Sequence, residues 1–165
     1  MDEQLTHSLE RFRSVWQRVA PSPDPVEADR TPPGPPPPPP TEGEQTRLQL
    51  FLERETELLS LYRALSRRTR NSMAGRLLSD TQRHLRRLQL EYFLLTGDSF
   101  APLSRREPPA GVLPLLRGAY LSEGDLAEQY EAVTNTPLRE LYLGRVKTAN
   151  AHRETLRGMI AKVLG

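Results

Sequence analysis

Apolar residues recur along this chain at helical spacing, in blocks separated by segments with no periodicity at all. Leu5, Leu9, Phe12, Trp16 and Val19 are spaced 4, 3, 4 and 3 residues apart, with charged and amide residues between them, which predicts an amphipathic helix over residues 1–19. Residues 20–43 carry no such pattern. They hold Pro-Ser-Pro-Asp-Pro and then six consecutive prolines, Pro35 to Pro40, so they read as a linker. The six-proline run, as polyproline II, spans roughly 19 Å. After Thr41-x-x-Glu44, which has capping-box spacing, Leu48, Phe51, Leu52, Leu58, Leu59, Tyr62 and Leu65 define an inward stripe on a helix from about Glu44 to Arg68. Asn71-Ser72 can cap a second helix, which Gly97 stops after Thr96. Pro102, Pro108 and Pro109 mark a longer connection. Pro114 stands near the start of a third helix ending around Thr134, and Thr136-Pro137, as N-cap and first helical residue, opens a fourth that runs to Leu164. Two helical pairs with short turns and one longer connection between them predict a four-helix bundle over residues 44–165.

Composition supports an all-α chain. Leucine (27) outnumbers isoleucine and valine together (8), and strands favour the β-branched types. No apolar run approaches the roughly 20 residues of a membrane-spanning helix, so no membrane association is expected. The acidic start, Met1-Asp2-Glu3, does not resemble a secretory signal, and the expected location is cytoplasmic. The absence of cysteine excludes disulfides, thiolate metal sites and thiol nucleophiles. Any metal site must use His and carboxylate. Net charge is only +2, although residues 44–165 carry 19 basic against 14 acidic side chains. The arginine groups Arg63, Arg67, Arg68, Arg70 and Arg76, Arg83, Arg86, Arg87 have no interleaved aromatic residues and no helix-turn-helix pattern around them. They read as a solvated face or a docking surface for an acidic protein rather than a nucleic-acid footprint.

The two halves of the predicted bundle are related by an offset of 68 residues. Glu55 falls on Glu123, Tyr62 on Tyr130, His84 on His152, Leu58 on Leu126 and Leu88 on Leu156, the pattern of a duplicated helical hairpin. Each of these Glu and His residues lies in an apolar stripe: Leu48, Leu52, Glu55, Leu59, Tyr62 on the first helix and Leu77, Thr81, His84, Leu88 on the second. In the second half the stripes are Leu116, Tyr120, Glu123, Ala127, Tyr130 and Arg145, Ala149, His152, Leu156. All four ionisable groups therefore point inward. Burying an unpartnered carboxylate costs several kcal/mol. Two Glu and two His on converging faces thus require either a metal ion or one another as partners. Arg145, on the same stripe as His152, could instead form a salt bridge with Glu55 or Glu123 and supply the charge of a metal. Tyr62 and Tyr130 are read as core residues whose hydroxyls reach polar groups.

This constellation resembles the ferritin-like superfamily, rubrerythrin-like proteins most closely. The likeness covers about residues 44–165 and rests on Leu52-x-x-Glu55-x6-Tyr62, on Asp80-Thr81-Gln82-Arg83-His84 and on their copies in the second half. It implies two iron ions held by a Glu from the first helix and a Glu-x-x-His from the second helix of each half. Glu55, Glu123, His84 and His152 match those ligands, while Thr81 and Ala149 replace the two Glu of the Glu-x-x-His motifs. The resemblance thus implies a ferritin-like bundle with a reduced site of two glutamates and two histidines. That site is compatible with one or two divalent ions (Fe, Mn or Zn) or with none, with di-iron oxidoreductase activity weakened or lost. The alternative is a non-enzymatic scaffold whose N-terminal helix binds a groove on the bundle, on a second copy in a homo-oligomer, or on another protein.

Overall fold

The computed structural model describes residues 42–103 and 106–165, and the expected N-terminal helix and polyproline linker lie outside them. Four α-helices form the described chain: α1 (Glu42–Thr69), α2 (Ser72–Thr96), α3 (Val112–Ala132) and α4 (Arg139–Leu164). No strand occurs among the described residues, and none of their helices is long and apolar enough to cross a membrane.

Local chemistry sets most of the boundaries. Helix α1 ends where Arg70 takes a left-handed φ of 49° and returns its N–H to Ser66 O. Asn71 then caps α2, its Oδ1 accepting from Met73 N at 2.8 Å. Gly97, at φ 77°, stops α2 and donates to Phe93 O, the left-handed C-terminal position that glycine adopts without steric penalty. Three boundaries differ from the sequence expectation. Helix α1 starts two residues early, at Glu42, Thr41 lies outside the described residues, and Glu44 is a buried side chain. Its carboxylate accepts from Arg47 (2.9 Å) and from Thr136 Oγ1 (2.6 Å). Helix α3 starts at Val112, which puts Pro114 at the third helical position, where a missing N–H is still harmless, and it ends at Ala132 rather than Thr134. Helix α4 begins at Arg139. Thr136 does accept from Leu138 N (3.1 Å), but it closes a preceding i→i+3 turn instead of opening the helix.

The connection between α2 and α3 fixes the topology. Leu103 N donates to Glu53 Oε1 near the middle of α1, and Arg68 at its far end donates to Pro109 O, so the connection runs along α1 toward its C-terminal end. Helix α3 therefore begins beside the end of α1 and runs antiparallel to it, Tyr62 meeting Glu123 and Glu55 meeting Tyr130. Two antiparallel hairpins joined by one end-to-end crossover make the bundle up-down-down-up. Helix α1 packs on α2 and α3, and α4 on α3, but α2 and α4 scarcely touch. The core is leucine-rich: Leu48, Leu52, Leu58, Leu65, Leu88, Leu115, Leu116 and Leu156 are buried. Phe51 stacks on Tyr130 with ring centroids 4.0 Å apart and meets Tyr142 edge-on at 5.2 Å.

Candidate functional site

A polar layer interrupts this core at mid-height. Glu55 and Glu123 are both 0% exposed, Arg145 is 2% exposed and His152 5%. His84, the outermost of the predicted four, has 11% of its side chain exposed. The structure thus brings Glu55, His84, Glu123 and His152 together, as their stripes require, and adds three groups between them.

Arg145 is the centre. Its Nε donates to Glu55 Oε1 at 2.7 Å, and its Nη2 donates both to Glu55 Oε2 at 3.2 Å and to Glu123 Oε2 at 2.8 Å. One guanidinium therefore joins α4 to α1 and α3. The tyrosines cross between halves: Tyr62 OH donates to Glu123 Oε1 at 2.6 Å and Tyr130 OH to Glu55 Oε1 at 3.0 Å. Each histidine stays with the Glu of its own half. His152 Nδ1 lies 2.7 Å from Glu123 Oε1, and since an ionised carboxylate only accepts, Nδ1 carries the hydrogen. His84 Nε2 lies 3.3 Å from Tyr130 OH and 3.5 Å from Glu55 Oε1. His152 Nε2 is 3.5 Å from Asp80 Oδ2 without hydrogen-bond geometry and has no hydrogen-bond partner.

The 68-residue symmetry breaks at Arg145, whose counterpart in the first half is Leu77, and this asymmetry separates the two carboxyls electrostatically. Burial pushes Glu55 above its ordinary value, and the Arg145 charge only partly opposes it. Burial pushes Glu123 upward too, but there the hydrogen bond from His152, the charge of Arg145 and the hydrogen bond from Tyr62 outweigh it and hold the carboxyl below its usual range. Burial lowers the pKa of His84 to about 3, reinforced by the positive charges of Arg145 and Arg87, so His84 is neutral at physiological pH. Burial and the adjacent carboxylates raise both tyrosines well above their ordinary value, which keeps them as hydroxyl donors.

The residues can be tested against the metal pair that the family resemblance implies. All four carboxylate oxygens of Glu55 and Glu123 already accept hydrogen bonds, three of those bonds coming from a guanidinium that cannot lose its proton. Thr81 and Ala149, at the positions of the two family glutamates, are buried and bring no charge, and Thr81 Oγ1 has no hydrogen-bond partner. Among the described residues no group of three or more His, Asp or Glu side chains is arranged to hold a metal ion. With Arg145 in place, the donor set does not fit a metal pair.

Sequence reasoning missed a second polar cluster, in which Glu44 Oε1 accepts from Thr136 and, at 3.4 Å, from Tyr142 OH. The signal for it was position: Glu44 stands eleven residues before Glu55, three helical turns, and so on the same stripe. Comparison of the chain with known protein families, with curated proteins and with solved structures finds no match in any of them.

Proposed function

We propose that this chain is a ferritin-like bundle, nearest in kind to the rubrerythrin-like proteins, in which the guanidinium of Arg145 takes over the role of divalent ions. It holds two buried carboxylates together, and the protein acts as a non-enzymatic binding scaffold rather than a di-iron oxidoreductase. The end-to-end crossover between the hairpins and the inward Glu and His of each half support the ferritin-like part of the reading. One observation carries the functional part: Arg145 bridges Glu55 and Glu123 at 2.7 and 2.8 Å. Oxidation of iron by peroxide or oxygen needs a metal centre that neutralises bridging carboxylates, and here a permanent cation already does so.

Metal analysis of chain purified without chelator and then loaded anaerobically with Fe²⁺ tests this. The expected content is below about a tenth of an equivalent, against roughly one equivalent after Arg145→Leu frees the carboxylates. A second reading, a single divalent ion on Glu55, His84, Glu123 and His152, is favoured by the open cleft that Arg145 lines, which gives its side chain somewhere to turn. About one equivalent in the wild type, lost in His84→Ala, would establish that reading and overturn the first.

A further inference from the structure

Because α2 and α4 scarcely touch, a cleft of about 530 Å³ opens between them and reaches down to the polar layer. Its ionised lining is Arg83, Arg87 and Arg145 against Asp80 and Glu140, and the charge of Arg145 is already matched by Glu55 and Glu123 behind it, so any uncommitted positive charge comes from the other two arginines. The commitments of these groups decide what that charge can do. Arg83 is paired with Asp80 at 3.4 Å, whereas Arg87 makes no ion pair with any described residue. Arg145 directs its Nε and Nη2 to the carboxylates behind it, but its Nη1 is buried with no hydrogen-bond partner. A desolvated guanidinium nitrogen with two unused N–H groups carries an unmet hydrogen-bonding demand that an acceptor oxygen satisfies. His84 and the bare backbone at Gly144, where an added Cβ would meet nothing within 4 Å, complete the walls.

We propose that this cleft is a binding site for a small organic carboxylate, its carboxyl group held between Arg87 and Nη1 of Arg145. The volume is that of a small-molecule site, several times what an inorganic ion fills. Arg87 is the one lining arginine without a carboxylate partner among the described residues, and one uncommitted cation matches a monoanion better than a doubly charged phosphate ester. The site does not depend on the ferritin-like reading, since it uses Arg145 whatever the ancestry of the bundle.

Titration of the full chain with benzoate, followed by ¹H–¹⁵N correlation spectra, tests the proposal. Saturable shifts are expected, confined to residues 80–88 and 140–148, with no saturation by benzyl alcohol, which has a similar body and no charge. Arg87→Ala should weaken benzoate at least about tenfold. Gly144→Phe should abolish binding by filling the cleft from a position with open space around it. Arg63→Ala, on the exposed side of α1, should leave binding unchanged. Shifts spread over every arginine surface, an unaltered response in Gly144→Phe, or equal binding of benzyl alcohol would overturn the site. Tighter binding of phenyl phosphate than of benzoate would overturn the carboxylate assignment.

Discussion

At Glu55 and Glu123 the chain buries two acids of the same type and gives them opposite pKa directions, because only one of them receives a histidine hydrogen bond at 2.7 Å. The consequence for stability can be read from His84. Its native pKa is about 3 against a reference of 6.5, so between those values the unfolded chain takes up a proton that the native chain refuses. Stability therefore falls as pH drops through that window, by up to about 1.4 kcal/mol per pH unit from this site alone. Glu55, raised above 4.5, opposes the trend: its stabilising contribution is present below 4.5 and lost as pH rises through its native value. Glu123, held below 4.5, adds to the acid loss beneath that value. Urea unfolding of wild type and His84→Gln between about pH 7 and 4 isolates the histidine, and the wild type should lose stability relative to the variant as pH falls. A constant difference would show that His84 titrates normally. Tyr62→Phe removes a 2.6 Å donor from a buried carboxylate and should cost about 1.5–3 kcal/mol in the same measurement, more than Tyr130→Phe, whose bond is 3.0 Å. The types and inward positions of these residues were legible from the stripes. Which tyrosine serves which acid was not, because that depends on α3 lying antiparallel to α1.

Helix ends show how far local chemistry reaches. Asn71 and Gly97 act as their residue types require, so the boundaries of α2 follow from sequence alone. Arg70 does not: it closes α1 in a left-handed conformation at φ 49° that costs an L-residue about 1–2 kcal/mol. Arg70→Gly is expected to stabilise the fold by about 1 kcal/mol, and Gly97→Ala to destabilise it by a similar amount, both read as shifts in the urea midpoint. The start of α4 departs from expectation for a tertiary reason. Thr136, an N-cap by its local pattern, donates its hydroxyl to Glu44 on α1, and Arg139 covers the last carbonyls of α3, Glu131 O at 2.9 Å and Val133 O at 2.6 Å. The Thr136 contact ties the α3–α4 turn to a partner 92 residues away, the Arg139 contacts close it onto the end of α3, and the helix begins after them.

Over the whole bundle, Arg145 makes the two hairpins interdependent. Removing its charge by Arg145→Leu leaves two uncompensated buried carboxylates, an expected loss of about 3–5 kcal/mol at neutral pH. The loss should shrink as pH falls toward about 4 and the acids protonate, a pH dependence that unfolding curves of the variant will show or refute. Each hairpin also draws a tyrosine donor for its own Glu from the other, so residues 42–98 and 110–165 expressed separately should show little helicity by circular dichroism. Stable helical fragments would mean that the polar layer is not what binds the halves. Local sequence determined the helices and the inward direction of Glu55, His84, Glu123 and His152, because periodicity and helix capping act over a few residues and need no partner. Only the tertiary structure decided that one guanidinium sits between both acids, that the tyrosines cross, and that α2 and α4 stand apart around a cleft. Those outcomes depend on how helices pack and on where a crossover of residues 97–111 returns the chain, and charge partners 22 to 90 residues apart leave no spacing to read.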